Sequence, residues 1–63
     1  MIIPKNLTTK EAIELLGKLD DDDAEVAHMN ADAILLAVLR SYGFHDVVEA
    51  FRSARNAHGF YYS

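Results

Sequence analysis

Apolar positions recur along this chain in three stretches at helical spacing. In the first, Ala12, Ile13, Leu15, Leu16 and Leu19 fall in one arc, with Lys10, Glu11, Glu14 and Lys18 opposite. Thr8-x-x-Glu11 precedes them. This is the capping-box pattern, in which the hydroxyl accepts from the third amide and the carboxylate reaches back to the cap amide. The spacing predicts a first helix over 9–19, weakened by roughly 1 kcal/mol at Gly17.

The second stretch is the longest. Ala24, Ala27, Ala31, Ile34, Leu35, Val38, Leu39 and Tyr42 share one face. Met29, Ala33, Leu36 and Ala37 form a second apolar stripe behind it. A helix apolar on two sides is central to a bundle or pairs with another chain. It is expected over 23–42, capped by an aspartate of the preceding run, Asp22, with Glu25 three residues on. Gly43 is its natural left-handed stop.

The third stretch follows a turn over 42–45. Val47, Ala50, Phe51, Ala54 and Ala57 are expected to face inward, with Glu49, Arg52, Ser53 and Asn56 outward. Asp46 suits the N-terminal end of the dipole. The helix is expected over 46–58 and to end at Gly59, before the aromatic tail Phe60, Tyr61 and Tyr62. No window alternates with period two. The expected architecture is all-α, one small three-helix domain over 1–63 with an antiparallel hairpin of helices two and three.

Composition sharpens that picture. At 63 residues the chain has room for one domain, and a domain of this size buries only about 60% of its unfolded surface. Apolar residues make up 51%, which argues against disorder. There is no cysteine, so neither a disulfide nor a thiolate zinc site can staple the fold. The staples left are self-association, a very good helical core, or a site of histidines and carboxylates. Nucleotide-binding and nucleophile-elbow motifs are absent, and no cofactor is expected. The start, Met-Ile-Ile-Pro-Lys, is too short for a signal peptide, and the apolar run Ala33 to Leu39 is too short for a membrane span. A cytoplasmic protein without a membrane partner is the expectation.

The charge is concentrated. Residues 1–19 sum to +1, residues 20–32 to -6 and residues 33–63 to +1, giving the net -4. Such a balance makes nucleic acid an unfavourable partner, because backbone binding needs a positive footprint. The basic cluster Arg40, Arg52 and Arg55 nonetheless admits a weak DNA-binding alternative, with Arg52, Arg55 and Asn56 on helix three as readers. The run Asp20–Asp23 lacks, in every register, the glycine of a calcium loop. It reads as a helix cap and solvated loop, or as a docking patch for a basic partner.

Two histidines carry a second alternative. His28 falls between Leu35 and Leu39 on the wheel, with Asp32 one turn on. His58 falls between Val47 and Phe51. Counted from the hairpin turn, both lie roughly 21–23 Å away, so an antiparallel pair would bring them together. His28, Asp32 and His58 would then be a possible divalent-metal shell. Packing residues are the plainer account, with His28 held by Asp32.

The segment His28-x-x-Ala31-Asp32-x-Ile34-Leu35-Leu36, then Gly43, then Val47-Val48-x-Ala50-Phe51 and an aromatic terminus, resembles short open reading frames of phages and prophage-like loci. Those read H-x-x-A-D-x-L-L and end in Trp-Tyr-Ala or similar, whereas this chain ends Tyr-Tyr-Ser. The likeness covers residues 20–63 and implies a small accessory protein, with no chemistry attached. The function expected is therefore a non-enzymatic interaction or regulatory module. It would pair with itself as a homodimer, or with another protein, through Met29, Ala33, Leu36 and Ala37. Phe60, Tyr61 and Tyr62 are expected to fold back over the His28/His58 end and close the core, the alternative being an exposed aromatic hook in which Tyr61 and Tyr62 meet a partner.

Overall fold

A computed structural model of the chain describes residues 1–19 and 23–58. It contains α1 (Thr9–Gly17), α2 (Ala24–Ser41) and α3 (His45–His58). The molecule is an all-α three-helix domain in which α2 is central. α1 packs on one side of α2 and α3 on another. Asp20 to Asp22, Gly59 and the aromatic tail with Tyr61 and Tyr62 lie outside the described residues.

The helix starts follow from their caps. Thr8 Oγ1 accepts from the Glu11 amide at 3.1 Å, and the Glu11 carboxylate accepts from the Thr8 amide at 2.9 Å. Two of the orphan amides at the start of α1 are thereby satisfied. The α1 helix stops at Gly17, earlier than expected. The Lys18 and Leu19 amides bond three residues back, to Leu15 O and Leu16 O, which tightens the last turn and closes it.

The cap of α2 is Asp23, not Asp22. Its carboxylate accepts from Glu25 N at 2.9 Å and Val26 N at 3.4 Å. An aspartate cap serves the second and third amides of its helix, and only Asp23 stands at that offset from the helix start at Ala24. At the other end Gly43 has φ +85°, the left-handed stop. The Gly43 amide bonds Arg40 O and the Phe44 amide bonds Leu39 O, at 2.9 and 3.0 Å. With this turn closed, α3 begins at His45, one residue earlier than expected.

The core lies between α1, α2 and an N-terminal strap. Leu7, Ala12, Ile34 and Ala37 are buried together. Ile3, Leu15, Leu19 and Val38 pack around them. Ile34 has no exposed surface. Burying a side chain of that size is worth about 1.5–3 kcal/mol. The strap is also tied by hydrogen bonds. The Leu7 amide donates to Ala37 O at 3.4 Å, and the Ser41 hydroxyl lies 2.8 Å from Leu7 O.

The inward face of α3 differs from the expected one. Val48 is its buried residue, while Val47 and Phe51 stay largely exposed and Ala50 and Ala57 face solvent. The turn sets this rotation. The Val48 amide bonds Phe44 O, so Val48 stands one turn above a residue fixed to Leu39, directly over α2. The apolar arc of α3 is wider than its contact with α2, and its centre lies off the seam.

Candidate functional site

The stripe Met29, Ala33, Leu36 and Ala37 is not a free surface. Leu36 is 6% exposed and Ala37 fully buried, and Ala33 is half-buried. The two apolar sides of α2 are consumed within the molecule: Ala37 meets the strap and α1, and Leu36 faces α3. Met29 alone of the four is half exposed, at 51%. Leu35, assigned by periodicity to the core, is instead 59% exposed.

Leu35 belongs to a groove on one flank of α3. Leu35, Leu36 and Leu39 of α2 face Val47 and Phe51 of α3, with Asp32 at the end, around a space of about 130 Å³. Apart from Asp32 the lining is apolar. Positions 47 and 51 are one turn apart on the same side of Val48, so the rotation of α3 places both at the groove rather than in the core.

The opposite flank of α3 has the other character. A cleft of about 590 Å³ opens between the strap, α2 and α3. Its floor is Ala33 and Leu36, and Ile3 and Pro4 form the strap wall. Lys5, Arg40, Arg52 and Arg55 all line it, together with His45 and Glu49. Arg52 Nη1 lies 3.5 Å from Glu49 Oε2. The Arg55 guanidinium sits 5.9 Å from the Phe51 ring centre, within cation–π range. Arg40 and Arg55 are half-buried.

This placement bears on the DNA-reading arrangement. Arg52 is paired along its own helix and Arg55 lies at the α2 seam, so the arginines line a cleft rather than project together with Asn56 from a free face. Lys5 and His45 were missed in the sequence as members of this group. Once Val48 is taken as the seam, His45, Glu49 and Arg52 fall on one flank by helical spacing, so His45 was findable. Lys5 was not, because its strap has no periodicity.

Of the trio His28, Asp32 and His58, the structure brings two together. His28 Nε2 lies 3.8 Å from Asp32 Oδ1, an electrostatic contact too long for a hydrogen bond. Among the described residues no group of three or more histidines, cysteines or acids is gathered closely enough to hold a metal ion. The reason is visible at that end of the hairpin. Residues 23–26 at the start of α2 and 56–58 at the end of α3 are exposed, so no buried contact among the described residues clamps the two ends.

Among the described residues, Glu11 is the group with a clear electrostatic perturbation. The Thr8 backbone amide, and after it the Thr8 hydroxyl, hold its carboxyl below the usual glutamate value of 4.5. That is a capping effect and carries no chemistry of its own. No described helix is long and apolar enough to cross a membrane. A scan against protein-family models finds no match, and searches of curated proteins and of solved structures find no significant similarity.

Proposed function

We propose that this chain is a small non-enzymatic interaction module that pairs with a second copy of itself through the groove of Leu35, Leu39, Val47 and Phe51. The observation that carries the reading is that large apolar side chains from two helices line one exposed groove. The contact moves from the back stripe of α2 to its Leu35 flank, because Leu36 and Ala37 are already used.

The size of the intramolecular core supports a second copy as the occupant: Leu7, Ala12, Ile34, Leu36, Ala37 and Val48 are its buried residues among those described. A groove made of two helices suits a two-fold contact, in which Leu35 and Leu39 of each copy cover Val47 and Phe51 of the other. Such pairing supplies the staple that a chain without cysteine otherwise lacks. The resemblance to phage-type open reading frames makes an accessory protein the setting for this module.

Sedimentation velocity over a concentration series tests the reading. A dimer is expected for the native chain and a monomer for Leu35→Glu. Leucine and glutamate have similar helix propensity and position 35 is exposed, so the variant should still fold. A native chain that stays monomeric throughout the series overturns the proposal.

A further inference from the structure

The cleft on the other flank of α3 concentrates most of the protein's positive charge. Lys5, Arg40, Arg52 and Arg55 are four of the six lysines and arginines in the chain. Three separate segments deliver them: the strap, the end of α2 and the second half of α3. With Glu49, the cleft carries +3, which leaves -7 on the rest of a chain whose net charge is -4. Among the described residues, Lys5, Arg40 and Arg55 make no ion pair. Cations held together without counter-charges repel one another, and an anion offsets that cost.

We infer that this cleft binds a compact phosphorylated small molecule, a nucleoside diphosphate. The volume of about 590 Å³ falls within the usual range of small-molecule sites. Guanidinium groups match phosphate oxygens in paired hydrogen bonds, and Arg40, Arg52 and Arg55 supply three of them. The wall of Ile3 and Pro4, with half-buried Ala33 beside it, offers an apolar seat to a flat base. Half-burial of Arg40 and Arg55 reduces the screening of their charge by water.

The remaining charge selects a compact ligand over a polymer. A long nucleic acid that entered the cleft would extend over a surface carrying -7. A diphosphate bound within the cleft meets the +3 and stops there. The cleft and the pairing groove lie on opposite flanks of Val48 and meet at Leu36, which borders both, and at Arg55, whose guanidinium sits over Phe51.

An amide-resolved NMR titration of the full chain with ADP tests the inference, with adenosine and inorganic pyrophosphate in parallel. ADP is expected to shift the amides of residues 3, 5, 6, 40, 45, 49, 52 and 55, with a dissociation constant of about 0.1–1 mM. Pyrophosphate should bind more weakly at the same amides, and adenosine should not bind measurably. Arg40→Gln and Arg52→Gln should each weaken ADP about tenfold with an unchanged melting temperature. Glu49→Gln should tighten binding severalfold, a gain that a purely structural role would not produce. Lys10→Gln, outside the cleft, should leave it unchanged.

Absence of shifts with ADP overturns the inference, and so does pyrophosphate binding as tightly as ADP. Tighter binding of a single-stranded oligonucleotide of about 20 nucleotides would overturn it in favour of a polymer. Shifts of the same amides on raising protein concentration alone, lost with salt, would assign the cleft to the acidic run of another copy. Repeating the ADP titration on Leu35→Glu separates the two readings, since a monomeric variant should bind ADP as the native chain does.

Discussion

The Ser41 hydroxyl stands 2.8 Å from the carbonyl oxygen of Leu7, thirty-four residues earlier in the chain. The same hydroxyl is 2.7 Å from Val38 O, and its single proton serves one oxygen at a time. Leu7 is itself 3% exposed and its amide reaches Ala37 O. One residue of the strap is thus held to α2 by packing and by both of its backbone groups. We expect Ser41→Ala to lower stability by about 1 kcal/mol, since Leu7 O is only partly buried and water can replace the hydroxyl. Leu7→Ala should cost about 2–5 kcal/mol. Urea denaturation of the two variants measures both, and equal losses would show that the strap is not packed as described.

The two neighbours Ile34 and Leu35 should respond oppositely to truncation. Ile34 has no exposed surface, whereas Leu35 is 59% exposed. Ile34→Val should cost about 0.5–1.5 kcal/mol, and Ile34→Ala about 2–5 kcal/mol. Leu35→Ala should change the stability of the monomer by less than about 0.5 kcal/mol. The comparison is made at a protein concentration where sedimentation shows one species. A large loss at position 35 under those conditions would place it in the intramolecular core.

The capping box makes α1 sensitive to acid. The Glu11 carboxyl is held below the usual 4.5 in the folded chain by the Thr8 amide and then by the Thr8 hydroxyl. A group depressed on folding contributes stability above its unfolded value, and that contribution is lost as pH falls through the folded value. The melting temperature should therefore drop as the solution is acidified below about 4.5. Glu11→Gln should remove that part of the slope, while Thr8→Ala should cost about 1 kcal/mol at neutral pH. Melts of the native chain and both variants across that range check the sign.

The helices were legible in the sequence because each start and stop has a local cause. The Thr8/Glu11 box and Gly43 act within a few residues of themselves, so spacing alone reveals them. The faces were less legible. The wheel of α3 centres on Val47 and Phe51, but a closed turn at Tyr42–Phe44 rotates the helix to bury Val48. The same applies to α2, whose Ala37 is covered by α1 and by a strap that no periodic pattern announces, while Leu36 of the same stripe turns to α3. The grooves on either side of α3 exist because of that rotation. Their residues therefore appear in the sequence as core or as scattered surface charges.

Gly43 isolates a backbone effect from a packing effect. Its φ is +85°, and a Cβ built there meets nothing within 4 Å. Any loss on substitution is therefore conformational, not steric contact with the rest of the molecule. Gly43→Ala should cost roughly 1 kcal/mol, and Gly43→Asn less, because asparagine tolerates the left-handed region better. Equal penalties for the two variants would point to a contact that the open surroundings of Gly43 do not provide.

Zinc distinguishes a two-residue contact from a metal site. His28 and Asp32 stand one turn apart with 3.8 Å between their polar atoms, and no third ligand joins them among the described residues. A metal that binds the folded chain alone raises stability by mass action, by about 2.7 kcal/mol at a hundredfold excess over its dissociation constant. One half-exposed and one mostly covered ligand make up only half of a tetrahedral zinc shell, so micromolar zinc should leave the melt unmoved. A rise of several degrees that disappears in His58→Gln would show instead that the open end of the hairpin closes around the ion. The exposed ends of α2 and α3 would then be the parts of the fold that metal completes.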